Sequence, residues 1–448
     1  MTTPIVLYAW QAEALDAWRR VWRRGVIEAV TGAGKTMVGV AAVSEALSEG
    51  GQALVVVPTV ELLHQWAGHI RKHFPMTTLG LVGDGEFATF RTHDVIVAVV
   101  NSLRLYELQP PRNGSLLVAD ECHRYGSAAN ALTLDSRFDF RLGLSATYAR
   151  SDDAHTTILD SYFGGVCYQL TYARALAYEV TAHFKVALVG VHFERQEWEQ
   201  YEAANLATTR AQRWLRQNLN ISPEPFGKFM RDVSVVARGS GGGASYARSF
   251  LSNFELRRRI LAETPAKRRA LTGLTPALRA ADRGLVFTQT IAAAEDAADI
   301  LRAAGLPAYA IHSRQDRELR RSLLKQFAHV SGGVVAAPQV LDEGIDVPSA
   351  DIAVILASSK SRRQMVQRMG RVLRRKDDGR LARFVILFVH GTSEDPSRGA
   401  HEDFLDEILP VADTVKTFSA AVKPQAVVNF LNDMTTDSPQ PSPRLAFA

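Results

Sequence analysis

Cysteine is scarce in this 448-residue chain, with Cys122 and Cys167 its only two. Two thiols cannot build a disulfide framework, and no pair of Cys-x-x-Cys motifs supplies a zinc site. Long hydrophobic runs are missing as well. None approaches the roughly 20 apolar residues needed to cross a bilayer. The opening Met-Thr-Thr-Pro-Ile-Val-Leu lacks the basic and apolar stretches of a secretory leader. The expectation is a cytoplasmic protein with no membrane partner. A strong excess of one charge sign is also lacking: the net charge is +5, from 52 Lys plus Arg against 47 Asp plus Glu. That mild basic balance suits an anionic partner without identifying it. An apolar share of 46% excludes disorder for most of the chain.

What is present is a recurring pattern of short apolar runs between amphipathic stretches. Val26–Val30, Ala53–Val57, Val95–Val100, Leu116–Ala119 and Leu142–Leu144 read as buried parallel strands of one α/β domain, at residues 1–175. Gly284–Phe287, Val334–Ala336, Ile352–Leu356 and Phe384–Val389 read as strands of a second, at 271–410. The fold class expected is therefore α/β, two parallel-sheet lobes in tandem with a helical insertion between them. Residues 176–270 are read as linker strands plus that insertion. Gly239–Ser245 is a flexible joint by composition. The stretch after it is basic (Arg248, Arg257, Arg258, Arg259, Lys267, Arg268, Arg269, Arg279) and is either a solvated helical face or a surface for nucleic acid. Residues 411–448 form a C-terminal extension whose end, after about Asp433 and rich in Ser, Thr and Pro, reads as disordered.

Three motifs carry chemistry. Thr31-Gly32-Ala33-Gly34-Lys35-Thr36 follows a strand and opens a helix, the context a phosphate-binding loop requires. Backbone N–H groups close around phosphates there, Lys35 reaches the β- and γ-phosphates, and Thr36 binds Mg²⁺. The strict pattern has Gly where Ala29 stands. Some 85 residues on, Leu117-Val118-Ala119-Asp120-Glu121-Cys122-His123 ends a strand in two carboxylates, at the sheet edge where ligands bind in such folds. Asp120 is expected to hold Mg²⁺ and Glu121 to activate the attacking water. Cys122 reads as a small packed residue. Upstream, Gln11 offers a donor and an acceptor that can read the edge of adenine.

The third motif lies far along the chain. Gln364, Gln367, Arg368, Arg371 and Arg375 recur at helical spacing around Gly370. A basic surface helix is the plain reading, but a glycine is costly inside one. Arg371 and Arg374 can present guanidinium groups to the γ-phosphate from the other lobe, an effect worth about 10³–10⁵ in rate.

These motifs, in this order, resemble those of superfamily 2 helicases over residues 7–390. Val57-Pro58-Thr59, Asn101-Ser102, Ser145-Ala146-Thr147, Val286-Phe287-Thr288 and Asp342-Glu343-Gly344-Ile345-Asp346 complete the set. Ser145–Asp153 is similar to the corresponding segment of the XPB-like branch of DNA repair helicases, with Arg150 and Asp152 matching and Ser151 replacing a Glu. The resemblance implies two RecA-like lobes and ATP with Mg²⁺ as cofactors. It implies coupling roles for His123, Ser145 and Thr147. Pro58, Thr59, Asn101, Ser102, Thr288 and Gln339 would line a strand-binding groove, and Gly344 and Asp346 would sit near ATP. Pro338 stands where relatives often have Thr, so one hydroxyl contact to a phosphate is missing. The insertion sits where that branch has a thumb. An additional N-terminal damage-recognition domain is not expected, since Gln11 already belongs to a motif.

Three functions stay open at this point. The first is an ATP-driven motor on single-stranded, forked or duplex DNA, in repair, recombination or defence. The second is an RNA helicase, and the third a scaffold with a degenerate ATP site. A nuclease or defence-system partner is also open, because the chain carries no nuclease motif of its own.

Overall fold

The computed structural model describes residues 4–106, 108, 111–149, 155–338, 349–356, 370, 372–373, 379–400, 405–406 and 408–433. The chain divides into two compact units, the first running to Thr181 and the second starting at Ala182. No helix among the described residues is long and apolar enough to cross a membrane.

Seven parallel strands make the sheet of the first unit: β1 (Arg24–Ala29), β2 (Ala53–Val57), β3 (Leu79–Val82), β4 (Val95–Val99), β5 (Leu116–Asp120), β6 (Phe140–Ser145) and β7 (Val166–Leu170). Their order is β3-β4-β2-β5-β6-β1-β7. The central strands are Val- and Leu-rich and buried on both faces, as a parallel sheet covered on each side demands. Helices α1 (Ala9–Arg20), α2 (Lys35–Ser48) and α3 (Val60–His73) connect or precede these strands. α3 shows why: Leu63, Trp66, Ala67 and Ile70 recur at helical spacing and form its buried face. Because every strand runs the same way, the loops after β1, β2, β4, β5 and β6 leave from one edge of the sheet. That edge carries Thr31–Thr36, Pro58–Thr59, Asn101–Ser102, Asp120–Glu121 and Ala146–Thr147.

The second unit has its own seven-stranded parallel sheet: β8 (Phe184–Val191), β9 (Arg283–Phe287), β10 (Ala308–Ala310), β11 (Gly333–Ala337), β12 (Ile352–Ile355), β13 (Ala382–Val389) and β14 (Thr414–Phe418). The order is β10-β11-β9-β12-β13-β8-β14. This sheet therefore draws strands from outside residues 271–410, namely β8 and β14. β8 pairs with β13 along its whole length, from Phe184 opposite Ala382 to Val191 opposite Val389.

Three helices form the insertion: α4 (Arg195–Leu219), α5 (Phe226–Arg238) and α6 (Gly242–Glu263). They close on a core of Ala211, Leu215, Phe229, Val233, Ala247 and Phe250. Trp214 and Tyr246 stack 4.1 Å apart across α4 and α6. The glycine-rich stretch is only partly a joint, because α6 already starts at Gly242. Gly243 packs closely there: a Cβ would come within 2.8 Å of Leu219 Cδ1. Part of the basic stretch is engaged within the fold. Lys267 is buried and paired with Glu394 at 2.5 Å. Arg257 donates to Asn205, Arg269 pairs with Glu194, and Arg268 pairs with Asp296.

Candidate active site

The loop after β1 turns through two left-handed residues, Gly32 at φ +88 and Gly34 at φ +91. Side chains disfavour that region, which is why glycine stands at both places. α2 begins directly after, so its unbonded N–H groups face the loop. Lys35 Nζ donates to Ala29 O at 2.8 Å and thus bridges the loop's two ends. Burial pushes the Lys35 ammonium below the ordinary lysine range, and the Glu121, Asp120 and Glu28 carboxylates act against that shift. Thr31 Oγ1 is buried with no hydrogen-bond partner. A cation, a run of backbone amides and an unpartnered hydroxyl converge here and suit a polyphosphate. Thr36 sits half-buried in the first turn of α2.

Gln11 is fixed from both ends of its amide. Its Oε1 accepts Tyr8 N–H at 2.8 Å, the return contact of a capping residue at the third position of α1. Its Nε2 donates to Gly34 O at 2.9 Å. The side chain is buried against the loop, and any base it reads would use the remaining amide hydrogen and lone pair.

At the end of β5, Asp120 is clamped at both oxygens. Oδ1 accepts Glu121 N–H at 3.0 Å and Oδ2 accepts the indole Nε1–H of Trp66 at 2.8 Å. Glu121 takes a left-handed backbone, φ +51, and its carboxylate lies 3.4 Å from His123 Nδ1. His123 Nδ1 is also 2.9 Å from Ser145 Oγ. Ser145 Oγ donates to Thr147 O at 2.9 Å and accepts Thr147 N–H at 3.2 Å. His123, Ser145 and Thr147 are buried together. A continuous polar chain thus joins Glu121, at the end of β5, to the residues following β6. Cys122 is buried, and burial together with Glu121 and Asp120 raises its thiol well above the ordinary value.

Among the residues expected along the strand-binding groove, Thr59 caps α3, its hydroxyl accepting Leu62 N–H at 3.3 Å beside the buried Pro58. Asn101 is exposed and its Oδ1 accepts Arg104 Nη2 at 2.7 Å, with Ser102 half-buried beside it. Thr288 lies just past the end of β9. It is fully buried, and its hydroxyl donates to Thr290 O at 3.1 Å, closing a turn after β9. Gln339, Gly344, Asp346, Gln367, Arg371 and Arg374 lie outside the described residues, as do Arg150 and Asp152. Two residues that sequence motifs did not mark also face the site. Glu28 accepts Tyr148 N–H at 2.9 Å and acts on Lys35. Trp66, on the apolar stripe of α3, reaches Asp120.

Comparison with known proteins agrees with this geometry. Residues 4–150 match a family described as "Type III restriction enzyme, res subunit", and residues 266–376 match "Helicase conserved C-terminal domain". A "DNA 3'-5' translocase XPB2" from Sulfurisphaera tokodaii is 28% identical over 87% of this chain and 83% of its own. The chain belongs to the superfamily 2 helicases, in the XPB-like branch. A "Putative DNA 3'-5' helicase Rad25" from Haloarcula marismortui is 25% identical to this helicase over 83% of the chain, which spans about half (50%) of that relative. Among solved structures, the "ATP-dependent Type ISP restriction-modification enzyme LlaBIII bound to DNA" shares the fold at a TM-score of 0.59 and 14% identity, covering 94% of this helicase and 32% of that chain. The two seven-stranded sheets are the RecA-like lobes of such an ATP-dependent enzyme.

Proposed function

We propose that this helicase hydrolyses ATP with Mg²⁺ to move along DNA, and to separate its strands, in repair, recombination or defence against foreign DNA. The observation that carries the reading is the meeting of Lys35, Asp120 and Glu121 at one edge of the first sheet, with Glu121 linked through His123 to Ser145. Thr36 and Asp120 would hold Mg²⁺, hard oxygen donors that suit this ion when phosphates complete its shell. Bound there, the ion would neutralise charge developing between the β- and γ-phosphates.

The roles of the side chains follow. Gly32, Ala33 and Gly34 present amides to the phosphates, and Lys35 leaves Ala29 O to pair with them. Glu121 accepts a proton from water as its oxygen bonds the γ-phosphorus. The bond to the β–γ bridging oxygen breaks, releasing ADP and inorganic phosphate. In this reading Arg371, Arg374 and Gln367 stabilise the charge on the transferred group. Gly344 and Asp346 report nucleotide state, while Pro58, Thr59, Asn101, Ser102 and Gln339 hold the strand by its backbone. A 3'-to-5' direction is supported by the names of the relatives.

Lys35→Ala should abolish hydrolysis. Glu121→Gln should still bind ATP while losing about 10²–10⁴ in turnover, the usual contribution of a general base. Direct binding of a fluorescent nucleotide beside phosphate release separates the two effects, and a fully active Glu121→Gln enzyme sinks the assignment.

A second reading makes this motor a subunit of a nuclease-containing defence complex. It is favoured by the description of the family matched by residues 4–150. Purification from the native cell tests it: a co-purifying nuclease supports it, and a motor recovered without one speaks against it.

A further inference from the structure

Asp120 receives a hydrogen bond from a residue outside every nucleotide-binding motif. Trp66 sits two turns into α3, and its indole Nε1–H reaches Asp120 Oδ2 at 2.8 Å. The indole is completely buried. Its six-membered ring lies over α2 at Gly39, where a Cβ would come within 2.5 Å of Trp66 Cη2. The helix that starts at the phosphate-binding loop therefore gives up a side chain to admit this ring. Leu63, Ala67 and Ile70 share the same face of α3, and an aliphatic residue would pack there equally well. What only the indole supplies is a buried N–H aimed at a carboxylate, a charge-assisted bond in a place screened from water. The same helix is capped at its start by Thr59.

We infer that Trp66 is a positioning residue for Asp120, and that through it α3 ties the Pro58–Thr59 end of the strand-binding groove to the carboxylate that holds the metal. The inference rests on the proposed metal role of Asp120. With Oδ1 held by Glu121 N–H and Oδ2 by the indole, the carboxylate plane is fixed. Loss of the indole N–H frees rotation about the Cβ–Cγ bond. That loosens the metal site without touching the loop that grips the phosphates. A strand that draws on the first turn of α3 moves the indole, and the indole moves Asp120.

The test is Mg²⁺ dependence of nucleotide binding in full-length protein. Trp66→Phe keeps an aromatic ring and removes the donor. A fluorescent ADP should bind this variant as it binds the wild type when Mg²⁺ is chelated. The Mg²⁺ concentration at half-maximal tightening should rise by about 10- to 100-fold, as for other outer partners of metal ligands. An unchanged midpoint overturns the inference.

A second measurement needs no stable variant at position 66. In wild-type protein carrying ¹⁵N-tryptophan, the Trp66 indole signal is the one shifted by Asp120→Asn. It should move on addition of Mg²⁺ with ADP, stay still with ADP and chelator, and move again with a single-stranded DNA oligonucleotide. A signal unmoved by Mg²⁺ removes the positioning role, and one unmoved by DNA removes the link through α3. If the wild type shows no Mg²⁺-dependent tightening at all, the assignment of Asp120 falls and takes this inference with it. Normal wild-type dependence with an unshifted variant removes Trp66 alone.

Discussion

Glu121 pays for its position: a left-handed backbone costs a non-glycine residue about 1–3 kcal/mol. Its φ of +51 swings the chain out of β5 immediately after Asp120, so that two consecutive carboxylates do different work. Asp120 is held by Trp66 and its own neighbour, while Glu121 turns toward His123. Burial raises both thiols above the ordinary range. Cys122 is buried beside those carboxylates, and burial pushes Cys167 up to about 11. Iodoacetamide at about pH 8 should therefore label neither in the folded protein and both once it is unfolded, since the thiolate is the reactive form. Rapid labelling of Cys122 in the native state would contradict this packing. Lys35, Asp120 and Glu121 were legible from sequence because a glycine-rich turn after a strand and a strand ending in two acids are rare patterns. Trp66 and Glu28 were not. One hides on a hydrophobic stripe and the other inside a strand, where each reads as packing.

At the scale of elements, α2 and α3 are keyed by a glycine. Gly39→Ala would place a methyl group 2.5 Å from Trp66 Cη2 and 3.2 Å from Leu144 Cδ1. Overpacking of this kind costs about 1–3 kcal/mol, and a thermal melt should show the loss. An unchanged melting temperature would mean that the ring has room to shift. In the second sheet a buried ion pair holds the strand register. Arg383 of β13 donates to Asp351 Oδ2 at 2.6 Å, and Asp351 Oδ1 accepts the N–H of Arg283 on β9 at 3.0 Å. Both side chains are almost wholly buried, so Asp351→Ala leaves a guanidinium unpaired and should destabilise the protein by about 3–5 kcal/mol. Denaturant unfolding measures this directly.

The central strands were readable because they are continuous apolar runs. β3 is four residues long with a glycine inside, and β7 alternates exposed and buried positions, so neither presented such a run. β8 is apolar enough to read as a strand, but only its pairing with β13 assigns it to the second sheet. Composition could not single out Lys267 in the basic stretch, because no count of cations tells that it finds Glu394 127 residues away.

For the whole molecule, two sheets with separate cores stand behind one proposed reaction. The loop and carboxylates belong to the first unit by sequence, and Arg371 and Arg374 belong to the second α/β stretch. If those arginines stabilise the transferred phosphoryl group, Arg371→Ala should cost about 10³–10⁵ in turnover while nucleotide affinity hardly changes. A variant that loses affinity and keeps turnover would assign Arg371 to binding alone. The proposal that hydrolysis serves movement on DNA has one direct test: the steady-state rate of phosphate release with no polymer, single-stranded DNA, forked DNA, duplex DNA or RNA. The account predicts a several-fold rise with DNA, more than with RNA, that Lys35→Ala abolishes. A rate that no nucleic acid alters would contradict it.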